Sequence, residues 1–139
     1  MGTRLNPYIN FGDQARAAME FYREVFGGTL TFSTFGEYGM EASPEADKIM
    51  HSQLESPGGL VLMGADTPAG MPPHQVGDNV SVCLSGEDVE ELSSYFAKLA
   101  VDGTVGVPLE KQVWGDHFGM VTDRFGINWM VNIAGTSSR

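Results

Sequence analysis

A chain of 139 residues with 18 acidic and 8 basic side chains carries a net charge of −10. A surface that negative repels phosphate backbones and anionic lipid, which argues against nucleic-acid and membrane partners. With 42% apolar residues, 18 glycines and a single cysteine, Cys83, the composition suits a turn-rich α+β domain without an intrachain disulfide.

No apolar run approaches the ~20 residues a membrane span requires. The opening stretch, MGTRLNPYINFGD, lacks the apolar core of a secretory signal, so a reducing, cytoplasmic location is expected.

Leu5 to Phe11 alternates, with Leu5, Pro7, Ile9 and Phe11 on one side and Asn6, Tyr8 and Asn10 on the other. Pro7 places this strand at an edge or at a strand start. Gly12-Asp13 is expected to cap a helix whose stripe is Ala15, Ala18, Met19, Tyr22, Val25 and Phe26, ended by Gly27-Gly28. Thr29 to Phe35 reads as a strand. An acidic loop follows, with a short helical turn expected after Ser43-Pro44. Lys48 to Glu55 is a strand with Ile49, His51, Gln53 and Glu55 on one face and Met50, Ser52 and Leu54 on the other. The turn Ser56-Pro57-Gly58-Gly59 leads into Leu60 to Met63 as a hairpin. Residues 64–78, rich in proline and glycine, form the connection between halves.

The second half repeats this order. Asn79 to Leu84 places Val80, Val82 and Leu84 toward a core and Asn79, Ser81 and Cys83 on a polar face. Ser85 to Asp88 reads as a capping box, followed by the stripe Val89, Leu92, Phe96 and Leu99, closed by Gly103. Asn6 aligns with Asn79, Met19 with Leu92, Tyr22 with Tyr95 and Phe26 with Leu99; Gly59 aligns with Gly126 and Met63 with Met130. The stretch Val107 to Ile133 is the densest in aromatic, glycine and polar residues. It turns at Asp123-Arg124-Phe125-Gly126 and ends with Ile127, Trp129, Val131 and Ile133 on a core face and Asn128, Met130 and Asn132 on the other.

Two βαβββ repeats carrying PYINFGDQARAAMEFYREVFGG, IMHSQLE, LVLMGAD and PLEKQVWGDHFGMVTDRFGINWMVNI resemble the vicinal oxygen chelate superfamily. That group contains glyoxalase I, bleomycin-resistance proteins and extradiol dioxygenases. The resemblance is to its PhnB-like branch, often labelled after a demethylubiquinone methyltransferase. It implies one domain over 1–139, with repeat one at about 3–66, a connection at about 67–77 and repeat two at about 78–135. It also implies that the repeats form a half-open barrel cleft and that the protein is a homodimer. The methyltransferase label finds no glycine-rich strand-to-helix turn for a nucleotide-like cofactor.

Metal-dependent members of that superfamily hold a divalent ion on the first and last strands of each half. The matching positions here are Asn6, Met63, Asn79 and Met130, which offer two amides and two thioethers rather than carboxylate or imidazole. The resemblance therefore implies no metal at the usual site, and a divalent metal only at a relocated one. The polar set Asn6, Tyr8, Asn10, Asn79, Ser81, Asn128 and Asn132, with Trp114 and His117, is the candidate lining for a small polar or aromatic molecule; its alternative is an amide network satisfied by water. Trp114 equally suits a tight turn packed under a dimer partner. His51 and Glu110 are the candidate acid and base should the chain be an enzyme, and a hydrogen-bonded strand histidine is the plainer alternative for His51. Cys83 reads as a wall residue and His74 as a solvated one.

Overall fold

The computed structural model describes residues 2–39, 42–68 and 70–135. The chain divides into two compact units, Met1–Gln75 and Val76–Arg139. In chain order the first unit contains β1 (Tyr8–Asn10), α1 (Ala15–Phe26), β2 (Thr29–Thr34), β3 (Ile49–Glu55) and β4 (Val61–Ala65). The second contains β5 (Val82–Gly86), α2 (Val89–Leu99), β6 (Thr104–Lys111), β7 (His117–Thr122) and β8 (Asn128–Ile133). Each unit is one four-stranded mixed sheet, ordered β1-β4-β3-β2 and β5-β8-β7-β6. The pairs β1–β4 and β5–β8 are parallel, and the others antiparallel. This is the expected α+β repeat.

In the first unit α1 presents the stripe read from the sequence: Ala15, Ala18, Met19, Tyr22, Val25 and Phe26 are all buried. They cover the sheet face that carries Ile49, Ser52, Leu54 and Leu62. Gln14, not Asp13, is the N-cap, and its side chain makes no capping bond. The orphan N–H of Ala15 donates instead to Asp66 Oδ1 at 2.9 Å, and Ile49 N–H donates to Asp66 Oδ2 at 2.8 Å. One buried carboxylate thus satisfies a helix start and a strand start together.

Strand β3 departs from simple alternation. Ser33 pairs with His51 but Thr34 pairs with Ile49, so Met50 is the extra residue of a bulge. Ile49 consequently turns toward the helix with Ser52 and Leu54, away from the face of His51 and Gln53 where alternation had placed it. The acidic loop opens with a 3-10 turn at Gly36–Tyr38, and after Ser43 it makes hydrogen-bonded turns, Ala46 N–H to Ser43 O and Lys48 N–H to Glu45 O, rather than a helix. In the 3-10 turn the Glu37 carboxylate accepts from both the N–H and the hydroxyl of Thr34.

In the second unit Leu92, Phe96 and Leu99 pack on Leu84, Val121, Trp129, Val131 and Ile133, whereas Val89 is exposed. The N-cap is Asp88, whose side chain accepts from Glu91 N–H at 3.0 Å, so the cap begins three residues later than Ser85. Strand β5 also starts late. Val80 is 73% exposed, and Asn79 to Ser81 precede the strand. Register pairs Tyr8 with Met63 and Cys83 with Met130, so Tyr8 corresponds to Cys83 rather than to Ser81.

The turn Asp123 to Gly126 forms as expected, closed by Gly126 N–H to Asp123 O. Asp123 Oδ1 accepts from Phe125 and Ile127 N–H, and Oδ2 from the Trp129 indole at 2.8 Å. Gly119 is required by proximity: a Cβ there would lie 2.8 Å from the Phe96 ring and 2.9 Å from Leu109 Cα.

Candidate functional site

The helix covers one face of each sheet, so chemistry available to a ligand is found on the opposite face. In the first unit, register lays Tyr8, Met63, Gln53 and Thr31 side by side across all four strands. His51 lies one step along, opposite Ser33. The Tyr8 hydroxyl is 3.4 Å from His51 Nδ1, and the two rings are 5.6 Å apart between centroids, tilted by 34°. Partial burial pushes the Tyr8 phenol above its ordinary pKa, favouring the neutral hydroxyl. Gln53 donates its amide to Glu55 at 2.7 Å. A phenol, an imidazole, a carboxamide and a thioether thus share one accessible surface.

The other polar residues of this unit do different work. The Asn10 carbonyl oxygen accepts from Gly12 N–H at 3.0 Å and from the Thr67 hydroxyl, which fixes the turn into α1. Asn6 precedes β1, half-buried. His74 is exposed but its ring lies against Gly12, so it is less detached than a solvated loop histidine.

In the second unit the amides are occupied locally. Asn128 Oδ1 accepts from the Thr122 hydroxyl at 2.7 Å, and Asn132 Nδ2 donates to Asp116 Oδ2 at 3.0 Å. Asp116 Oδ1 also accepts from Gly135 N–H. The amides of this face thus brace the sheet and the β6–β7 hairpin. Trp114, at the tip of that hairpin, is 56% exposed with its ring 6.4 Å from that of Phe118. Glu110 is exposed and opposite Phe118. His117 pairs with Ile133, a core residue, and so stands at the end of the helix-side row. Asn79 is exposed and Ser81 half-buried, both ahead of β5.

Cys83 and Met130 stand on this face as expected, but sequence reasoning missed the residues that complete it, Met120 beside Met130 and Phe118 in the next row. The signal was present in HFGMVT, where Phe118, Met120 and Thr122 alternate with buried Gly119 and Val121. His51 belongs to the first unit and Glu110 to the second. Among the described residues, no three His, Cys, Asp or Glu side chains gather into a group able to hold a metal ion.

A cavity of about 500 Å³ lies elsewhere, beside the start of α1, lined by Arg16, Glu20, Asp47, Lys48 and Asp66 among others. Three of its polar groups are already engaged. Lys48 bridges Glu45 at 3.0 Å, Arg16 stacks over Phe32 at 4.7 Å, and Asp66 caps the helix.

Comparison with known proteins follows this geometry closely. The solved structure of PA1353 from Pseudomonas aeruginosa is 35% identical, with a TM-score of 0.80, covering 95% of this chain and 98% of that one. The PhnB protein of Bacillus cereus, whose description includes 3-demethylubiquinone-9 3-methyltransferase, is 24% identical with a TM-score of 0.71, covering 95% and 100%. This second likeness speaks for the fold alone. Protein YjdN of Escherichia coli is 27% identical over 141 aligned positions, covering 93% of this chain and 94% of its own. The family model of the Glyoxalase/Bleomycin resistance protein/Dioxygenase superfamily matches residues 4–131. The chain belongs to that superfamily, with PhnB-like proteins among its structural neighbours.

Proposed function

We propose that the protein binds a small polar or aromatic molecule, and that the helix-free face of the first sheet supplies the recognition groups. The carrying observation is the accessible pair Tyr8–His51, 3.4 Å apart, with Gln53 and Met63 beside it. A neutral phenol and an imidazole offer both donors and acceptors, and their rings and the thioether offer an apolar, polarizable wall. Such a set orients a planar ligand without needing a charge.

The superfamily's usual divalent metal does not fit the residues present. Asn6 and Asn79 precede their strands. The strand neighbours of Met63 and Met130 are Tyr8 and Cys83. Thioethers, a phenol and a thiol are poor partners for Mg²⁺ or Ni²⁺, which favour oxygen and nitrogen donors.

A thermal-shift screen over small metabolites tests the binding reading. A ligand should raise the melting temperature of the wild type, and Tyr8→Phe and His51→Ala should each weaken its binding about tenfold, near 1.4 kcal/mol. No stabilising ligand, or one bound equally by both variants, would overturn it.

A catalytic reading keeps His51 as acid or base, favoured by the neighbouring Tyr8 hydroxyl that can fix the orientation of the imidazole. Turnover should then disappear in His51→Ala while folding survives; unchanged turnover removes the assignment.

A further inference from the structure

Three sulfur-bearing side chains occupy one row of the second sheet. Met130 on β8 is the register partner of Cys83 on β5 and of Met120 on β7. Register partners share a face, and burial identifies which. Leu84, Val131 and Val121, the next residues along each strand, are buried, whereas Cys83 is exposed and both methionines are half-buried. The three sulfurs thus stand on the face away from α2, with Met130 on the central strand flanked by Cys83 and Met120 on strands about 4.8 Å to either side.

We infer that this row is a binding site for a soft monovalent metal ion of the Cu(I) type, held by the Cys83 thiolate and the thioethers of Met130 and Met120. Thiolate and thioether donors select Cu(I) over the hard divalent ions that prefer oxygen. Methionine has three rotatable side-chain bonds, so Met120 and Met130 can swing their sulfurs toward Cys83 without moving the backbone. The row continues from Met120 into Val107, and no carboxylate interrupts it. On coordination the Cys83 thiol releases its proton to solvent and the S–H bond is replaced by an S–Cu bond; no electron is transferred. The net charge of −10 favours the approach of a cation and of no anionic competitor. The site lies wholly within the second unit and is independent of the Tyr8–His51 reading.

Anaerobic titration with Cu(I), in competition with a chromophoric Cu(I) chelator, tests the assignment. The expected result is one ion per chain, with X-ray absorption showing sulfur-only coordination near the ~2.3 Å typical of metal–thiolate bonds. Cys83→Ser, Met130→Leu and Met120→Leu should each weaken binding at least about tenfold, with circular dichroism unchanged. Met71→Leu, at an exposed position outside both sheets, should leave the affinity as it is. Absence of stoichiometric binding, nitrogen or oxygen in the coordination shell, or sensitivity to Cys83→Ser without sensitivity to either methionine variant would each overturn it.

Discussion

Asp66 and Ala15 are fifty-one positions apart in sequence, yet the Asp66 carboxylate accepts the first free N–H of α1 at 2.9 Å. Its second oxygen accepts Ile49 N–H at 2.8 Å, and the residue is only 7% exposed. An anion at a helix N-terminus is also favoured by the helix dipole. Replacing Asp66 by Asn retains one acceptor but turns an amide group toward a backbone donor. Asp66→Asn should cost about 1–3 kcal/mol and Asp66→Ala somewhat more, since two buried N–H groups then lose their partner. Urea unfolding checks this, and a wild-type midpoint in Asp66→Ala would refute it.

Asp123 plays the matching part in the second unit, binding the N–H of Phe125 and Ile127 and the Trp129 indole. Trp129 is 2% exposed, whereas Trp114 is 56% exposed. In a Trp114→Phe background, fluorescence therefore reports Trp129 alone. Asp123→Ala should lower stability by about 2–4 kcal/mol, because it strips a buried turn of three bonds at once. It should also shift the Trp129 emission to the red. A variant with unaltered emission and stability would show that the turn does not depend on this carboxylate.

The turn at Asp123 was legible in the sequence, whereas Asp66 shows where sequence reading stops. The stripes of α1 and the alternation of β8 are local periodicities, and they were legible because burial repeats every few residues. Asp66 sits in a stretch that reads as a loop, and its partners are far away in sequence. Nothing local marks it as a cap. The bulge at Met50 was hidden for a related reason, because it exists only relative to Ser33 and Thr34 on another strand. The same is true of the candidate site. The YINFG alternation around Asn10 and the NWMVNI alternation do put amides on the open faces, but Asn10, Asn128 and Asn132 spend their hydrogen bonds on Thr67, Thr122 and Asp116. Which polar residues stay available is decided by cross-strand neighbours. Tyr8 beside His51, and Cys83 beside Met130, emerge only once the register is known.

Tyr95 carries a pH signature. Burial first, then the hydrogen bond from its hydroxyl to Glu91 and the charges of Glu91 and Asp88, push its pKa up to about 12 from an ordinary 10.0. The folded state therefore keeps a proton that the unfolded chain releases. Its contribution is fully present below pH 10 and is lost as pH rises toward 12. Relative to Tyr95→Phe, the wild type should lose stability across that window and show no pH-dependent difference at neutral pH. Parallel stability–pH curves for the two proteins would contradict the linkage.

Gly119 offers a test of how α2 is seated. The residue lies on the helix-side face of β7, where Phe96 presses its ring and β6 brings the backbone of Leu109 close. An added methyl would sit 2.8 Å from the ring and 2.9 Å from Leu109 Cα. The ring can yield, but the strand backbone cannot without disturbing the β6–β7 pairing, so overpacking should cost Gly119→Ala about 1–3 kcal/mol. Pairing it with Phe96→Leu separates the two contacts. If the ring is the main obstacle, the double variant should be less destabilised than the sum of the single ones by about 0.5 kcal/mol or more; if the Leu109 backbone dominates, the effects should add. A Gly119→Ala protein as stable as the wild type would show that the helix and sheet are not packed this closely.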